Sequence, residues 1–141
     1  MILTDSGFWI ALGNRRDRHH AAARAAAERW AGEGLASTWP VLTEVTHLLV
    51  ARVGVHQALA FIDAVAQGAC HVPTPPDDAL ARAASLMRRY RDLPMDLADA
   101  SLVILAEQLQ EGRILSTDLR DFAGYRWKNT RPFENLLLPD G

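Results

Sequence analysis

Short apolar runs alternate with helix-length segments along this chain, and that alternation most constrains its fold. The runs are Met1–Thr4, Leu35–Thr38, Ala69–Val72 and Arg113–Thr117. The segments between them read as helices over Phe8–Leu12, Ala21–Ala31, a stretch opening at Pro40 and closing at Gly54, His56–Gln67, Asp77–Tyr90 and Asp96–Gln110. Strands joined through helical crossovers pair in parallel, with helices packed on the sheet. The predicted fold class is therefore α/β: a three-layer domain with a mainly parallel sheet and helices on both faces. The tail, with Trp127 and the apolar run Leu136–Leu138, predicts an edge strand and brings the count to about five. At 141 residues the whole chain, 1–141, reads as a single domain, with no linker, repeat or low-complexity stretch.

Composition narrows the function. A net charge of −2 provides no global basic field, so any nucleic-acid contact has to be local. The lone Cys70 excludes an internal disulfide framework and fits a reducing compartment. No basic-then-apolar leader precedes the first strand and no apolar run approaches a membrane span. The reading is a soluble cytoplasmic protein without a membrane partner.

The first strand halts at Asp5, followed by Ser6 and Gly7. Asp5 has two readings at this point. It caps the next helix, as Asp and Ser favour, or it stands where open α/β sheets bind ligands, beyond the strand ends. Three further carboxylates occupy comparable places. Glu44 lies about 40° around its helix from Leu48, at the border of a stripe formed by Val41, Val45, Leu48 and Leu49. Asp99 lies within about 60° of Leu102, Val103 and Ala106 on the most apolar helix of the chain. Asp96 as cap and Asp99 as third residue of a capping box explain where that helix starts. They do not explain an acid on its core side, because buried charges need a partner. Asp118 repeats the grammar of Asp5: an apolar strand, the hydroxyl pair Ser116-Thr117, then an acid, with Asp121 three residues on.

Strand-terminal acids meet only if their strands are neighbours; if the first and fourth strands flank the switch point, Asp5 and Asp118 converge. Clustered carboxylates repel and raise one another's pKa unless a cation offsets them. An all-oxygen set suits Mg²⁺ or Mn²⁺, while the absence of Cys/His spacing argues against zinc. Such ions activate water and stabilise the leaving oxygen of a phosphodiester.

These residues resemble the PIN-domain nucleases, specifically the VapC-type toxins of bacterial toxin–antitoxin pairs. The resemblance runs through Asp5-Ser6-Gly7-Phe8-Trp9-Ile10-Ala11-Leu12, Asp17-Arg18-His19-His20 and Pro40-Val41-Leu42-Thr43-Glu44. It continues through Asp96-Leu97-Ala98-Asp99-Ala100-Ser101-Leu102-Val103 and Leu115-Ser116-Thr117-Asp118-Leu119-Arg120-Asp121-Phe122. The resemblance implies strand order 3-2-1-4-5 and Mg²⁺- or Mn²⁺-dependent endoribonuclease activity. It implies an acidic quartet of Asp5, Glu44, Asp99 and Asp118, with Asp5 and Asp99 the foremost metal ligands. Asp96, Ser116 and Asp121 are auxiliary. It further implies a homodimer and inhibition by a cognate antitoxin. One departure is Gly7, where the family often carries a second hydroxyl residue.

An RNA substrate needs cations around the acidic floor. Arg15, Arg16, Arg18 and Arg120 are the candidates by sequence proximity, with Arg126, Lys128 and Arg131 further along. Among other acid-bearing α/β domains, a receiver requires paired acids after its first strand, where Asp5 stands alone. A haloacid-dehalogenase pattern requires a second Asp where Gly7 stands. A binding module with a relic pocket would lack one of the four acids, and none is missing. A PIN nuclease acting in RNA processing rather than as a toxin remains the alternative within the family.

Overall fold

The computed structural model describes residues 1–138; residues 139–141, the end of the expected 1–141 domain, lie outside the described residues. The first half of the chain forms β1 (Ile2–Thr4), α1 (Ser6–Gly13), α2 (His20–Trp30), β2 (Leu35–Ala36), α3 (Trp39–Arg52) and α4 (Val55–Ala66). The second half forms α5 (Ala79–Arg89), α6 (Leu97–Leu109), β3 (Arg113–Leu115), α7 (Leu119–Gly124), β4 (Arg126–Trp127), β5 (Arg131–Pro132) and β6 (Glu134–Asn135).

The main sheet has the order β2-β1-β3-β6, and every pair in it is parallel. Leu3 stands opposite both Ala36 and Ile114, so β1 is central, and Ile2, Leu3 and Thr4 are all buried. Burial on both faces is the ordinary state of a strand inside a helix-flanked parallel sheet. β4 and β5 form a small antiparallel pair outside it.

The sheet thus has four strands rather than about five. The run Ala69–Val72 contributes only a bridge, in which the His71 N–H donates to Leu35 O (2.8 Å) and His71 O accepts from the Ser37 N–H (2.9 Å). Pro73, Pro75 and Pro76 follow at once and lack the donors needed to extend a ladder. The bridge still lies outside β2, and β6 lies beside β3, so the positions implied by 3-2-1-4-5 are kept. The edge strand falls at Glu134–Asn135, just before the run Leu136–Leu138.

Local chemistry sets the helix starts. Asp5 Oδ1 accepts the Phe8 N–H (2.9 Å), so α1 begins at Ser6, two residues before the apolar stretch that marks it in the sequence. Thr38 caps α3 and Pro40 occupies its first turn, which ends β2 at Ala36. A capping box of Asp96 and Asp99 opens α6. Ala100 and Leu102 to Ala106 are buried, and α6 contacts β1, α3, α5 and β4. Cys70 is buried, and burial pushes its thiol up to about 12, so it is inert. No helix among the described residues is long and apolar enough to cross a membrane.

Candidate active site

Adjacent parallel strands end side by side, and this brings Asp5, after β1, next to Ser116, Thr117 and Asp118, after β3. The Asp5 N–H donates to Leu115 O (3.2 Å), tying the two strand ends together. Beyond them opens a cavity of about 330 Å³ whose lining includes Asp5, Glu44, Asp96, Asp99, Asp118 and Asp121. Glu44 arrives on the cavity-facing side of α3, Asp99 from the first turn of α6, and Asp118 and Asp121 from the start of α7. Every acid singled out in the sequence therefore faces one space.

The carboxylates of Asp5, Glu44, Asp96, Asp99 and Asp118 each accept from a donor of their own. Asp5 is 6% exposed, and both its oxygens are engaged: Oδ1 by the Phe8 N–H and Oδ2 by the Ser116 hydroxyl. Ser116 lies behind Asp5 and also accepts the Asp118 N–H (2.8 Å). The Ser6 hydroxyl donates to Glu44 Oε1. Asp118 Oδ1 accepts the Asp121 N–H (2.9 Å). Asp99 Oδ2 accepts the Asp96 N–H (3.3 Å) and the Tyr125 hydroxyl (3.2 Å), while Asp96 Oδ1 accepts the Asp99 N–H (2.8 Å).

The electrostatics follow from this crowding. Burial pushes Asp5 up to about 6; the bonds from Ser116 and Phe8 oppose that, and the charges of Asp118 and Glu44 add to it. Asp99 is raised by burial and by the neighbouring Asp96, and Asp121 by burial and its bond with Asp118. Such a cavity favours a cation. Among the described residues no three carboxylate, His or Cys side chains form a ready-made metal cage. The lining instead fits a hard divalent ion that keeps part of its water shell and takes one or two carboxylates directly.

The cations are distributed differently from the sequence reading. Arg15, Arg16 and Arg18 lie in the segment between α1 and α2, Arg120 is exposed on α7, and none lines the cavity. Among the described residues Arg52 is the one Lys or Arg that does. It stands two helical turns beyond Glu44 on α3, a spacing visible in the sequence but not used there. Thr117 also lines the cavity and accounts for Gly7: a Cβ at position 7 would lie 1.8 Å from Thr117 Oγ1. A hydroxyl therefore fills that space from the β3 side.

A short parallel sheet whose strand ends open on an acidic cavity places the chain among the acid-bearing α/β domains, and the comparisons give the family. Residues 2–128 match the PIN domain, and the chain belongs to the PIN-domain family. It is 28% identical over 125 residues to Ribonuclease VapC26 of Mycobacterium tuberculosis, covering 89% of this chain and 92% of that one. Its fold is similar to that of M. tuberculosis VapC20, a sarcin–ricin loop cleaving toxin, with a TM-score of 0.77, 23% identity and coverage of 94% and 100% of the two chains. A toxin–antitoxin complex from Klebsiella pneumoniae is also similar, with a TM-score of 0.64, 21% identity and coverage of 88% and 92%.

Proposed function

We propose that this chain is a divalent-metal-dependent endoribonuclease and the toxin of a type II toxin–antitoxin pair. The observation that carries the reading is the convergence of Asp5, Glu44, Asp99 and Asp118, from four separate elements, on one cavity. Its likeness to Ribonuclease VapC26 over most of both chains supports the choice of RNA, and its fold likeness to a toxin and to a toxin–antitoxin complex supports the toxin role.

In this reading Asp5 and Asp99 hold Mg²⁺ or Mn²⁺, with Glu44 and Asp118 completing the set directly or through water. The bound ion supplies Lewis-acid activation of a water and neutralises charge on the phosphodiester. Ser116 and the Phe8 N–H keep Asp5 facing the cavity, Ser6 orients Glu44, and the Asp121 N–H orients Asp118. Asp96 acts on Asp99 through the capping box. Arg52 meets a phosphate at the rim of an otherwise acidic opening, while Arg15, Arg16, Arg18 and Arg120 contact RNA further out. The partners are an RNA substrate, a cognate antitoxin and a second copy of the chain, acting in the cytoplasm.

Purified protein should cleave RNA with Mg²⁺ or Mn²⁺ and stop when EDTA is added. Expression without a neighbouring antitoxin gene should arrest growth, and co-expression should relieve the arrest. Cleavage without growth arrest would assign the chain to RNA processing instead.

A further inference from the structure

Asp99 is held from two directions, and only one belongs to its own helix. The capping box with Asp96 opens α6 and accounts for the Asp96 N–H on Oδ2 at 3.3 Å. The second donor, the Tyr125 hydroxyl at 3.2 Å, comes from the end of α7. Both bonds fall on Oδ2, and Asp99 Oδ1 accepts none from the described residues, which leaves that oxygen for a ligand in the cavity.

Tyr125 is itself immobilised by contacts that do not involve Asp99. Its backbone N–H donates to Asp121 O (2.9 Å), closing α7. Its ring is fully buried, edge-on to Tyr90 at 5.2 Å and to Phe122 at 5.2 Å. Packing of this kind fixes where the hydroxyl lies, so the hydroxyl can fix the carboxylate. The same short helix carries Asp118 at its cap and Asp121 in its first turn. One bond thus links the α7 acids to the α6 acid.

We propose that Tyr125 is a positioning residue that holds the Asp99 carboxylate, and with it the α6–α7 spacing of the acids, in the arrangement that receives the divalent ion; this rests on the nuclease reading above. Groups that orient a metal ligand from behind are typically worth about 10- to 100-fold in metal affinity or activity. Tyr125→Phe keeps the ring and removes the donor. It should lower Mn²⁺ affinity about tenfold and kcat by a similar factor, with KM for RNA unchanged.

The test is Mn²⁺ binding read from the free-ion EPR signal for wild type, Tyr125→Phe, Asp99→Ala and the double variant, with kcat and KM alongside. Tyr125→Phe should weaken binding in the wild-type background and have no further effect beside Asp99→Ala, which removes the acceptor. Equal Mn²⁺ affinity and kcat in wild type and Tyr125→Phe would overturn the proposal, as would an equal loss in both backgrounds. Wild type that binds no Mn²⁺ would instead overturn the metal-site reading on which the proposal stands. The chain has two tyrosines, so Tyr90→Phe leaves Tyr125 as the sole one. If Tyr125→Phe does not fold, the tyrosine Raman doublet of Tyr90→Phe decides. A donor signature abolished by Asp99→Ala, which leaves no acceptor there, supports the proposal, and an unchanged doublet overturns it.

Discussion

Replacing Asp5 by Asn should make the metal-free protein more stable, although Asp5 is among the most buried polar residues of the fold. Its pKa rises from 3.8 to about 6, chiefly because burial opposes the charge. Below pH 3.8 the carboxyl is protonated in both folded and unfolded chains and costs nothing. As pH rises from there the unfolded chain ionises first, and stability falls until pH passes the folded value near 6. At about 1.4 kcal/mol per pH unit the full loss is about 3 kcal/mol. Asn is neutral and keeps the local bonds: its carbonyl can accept the Phe8 N–H, and its amide can donate to Ser116 Oγ. The Ser116 hydroxyl can then turn to Asp118 O, 3.3 Å away. In EDTA at pH 8, urea unfolding should show Asp5→Asn more stable by about 2–3 kcal/mol, on the order of 10 °C in Tm for a chain of this size. The difference should shrink to about half at pH 5 and nearly vanish below pH 4. Adding Mn²⁺ should stabilise wild type, since a ligand of the native state adds RT ln(1 + [L]/Kd), and should close the gap. A destabilised Asp5→Asn, or a gain independent of pH, would refute the reasoning that Asp5 is a charge held at a cost for a cation.

The other predictions concern catalysis and packing. Asp99→Asn and Glu44→Gln should each reduce metal-dependent RNA cleavage by at least about 100-fold, taking the loss of a direct ligand to exceed that of a supporting one; wild-type rates would remove them from the site. Arg52→Ala should raise KM for a short RNA about tenfold with kcat little changed and Mn²⁺ binding intact, the pattern of a lost ground-state contact. An unchanged KM would leave the rim without its assigned phosphate contact. Gly7→Ala should cost about 1–3 kcal/mol by overpacking against Thr117. Adding Thr117→Ala removes the 1.8 Å contact and leaves one of 3.0 Å, so it should recover most of that loss in urea titrations.

What was legible in the sequence was local. Caps and boxes lie within three or four residues of what they act on, so Asp5, Asp96 and Asp118 mark their helices in one dimension, while Thr38, read with its strand, proves to be the cap of α3. The central strand was legible because β1 is buried along its length. The third run misled because its apolar residues look like those of a strand, while the prolines after it halt the ladder at a bridge. The two-residue β6 carries too little pattern to be placed without β3 beside it.

The same division runs through the site. The sequence by itself determined which carboxylates stand at strand ends and on a core-facing helix side, because apolar periodicity makes a misplaced charge visible. Only the tertiary structure decided what each of them meets. Ser116 reaches Asp5 across 111 residues of chain and Tyr125 reaches Asp99 across 26. Arg52 enters the cavity through the lie of α3, and Thr117 occupies the space above Gly7 through the pairing of β1 with β3. Those contacts depend on strand adjacency and helix docking, which the hydrophobic core sets for the whole chain at once, and no local pattern encodes them.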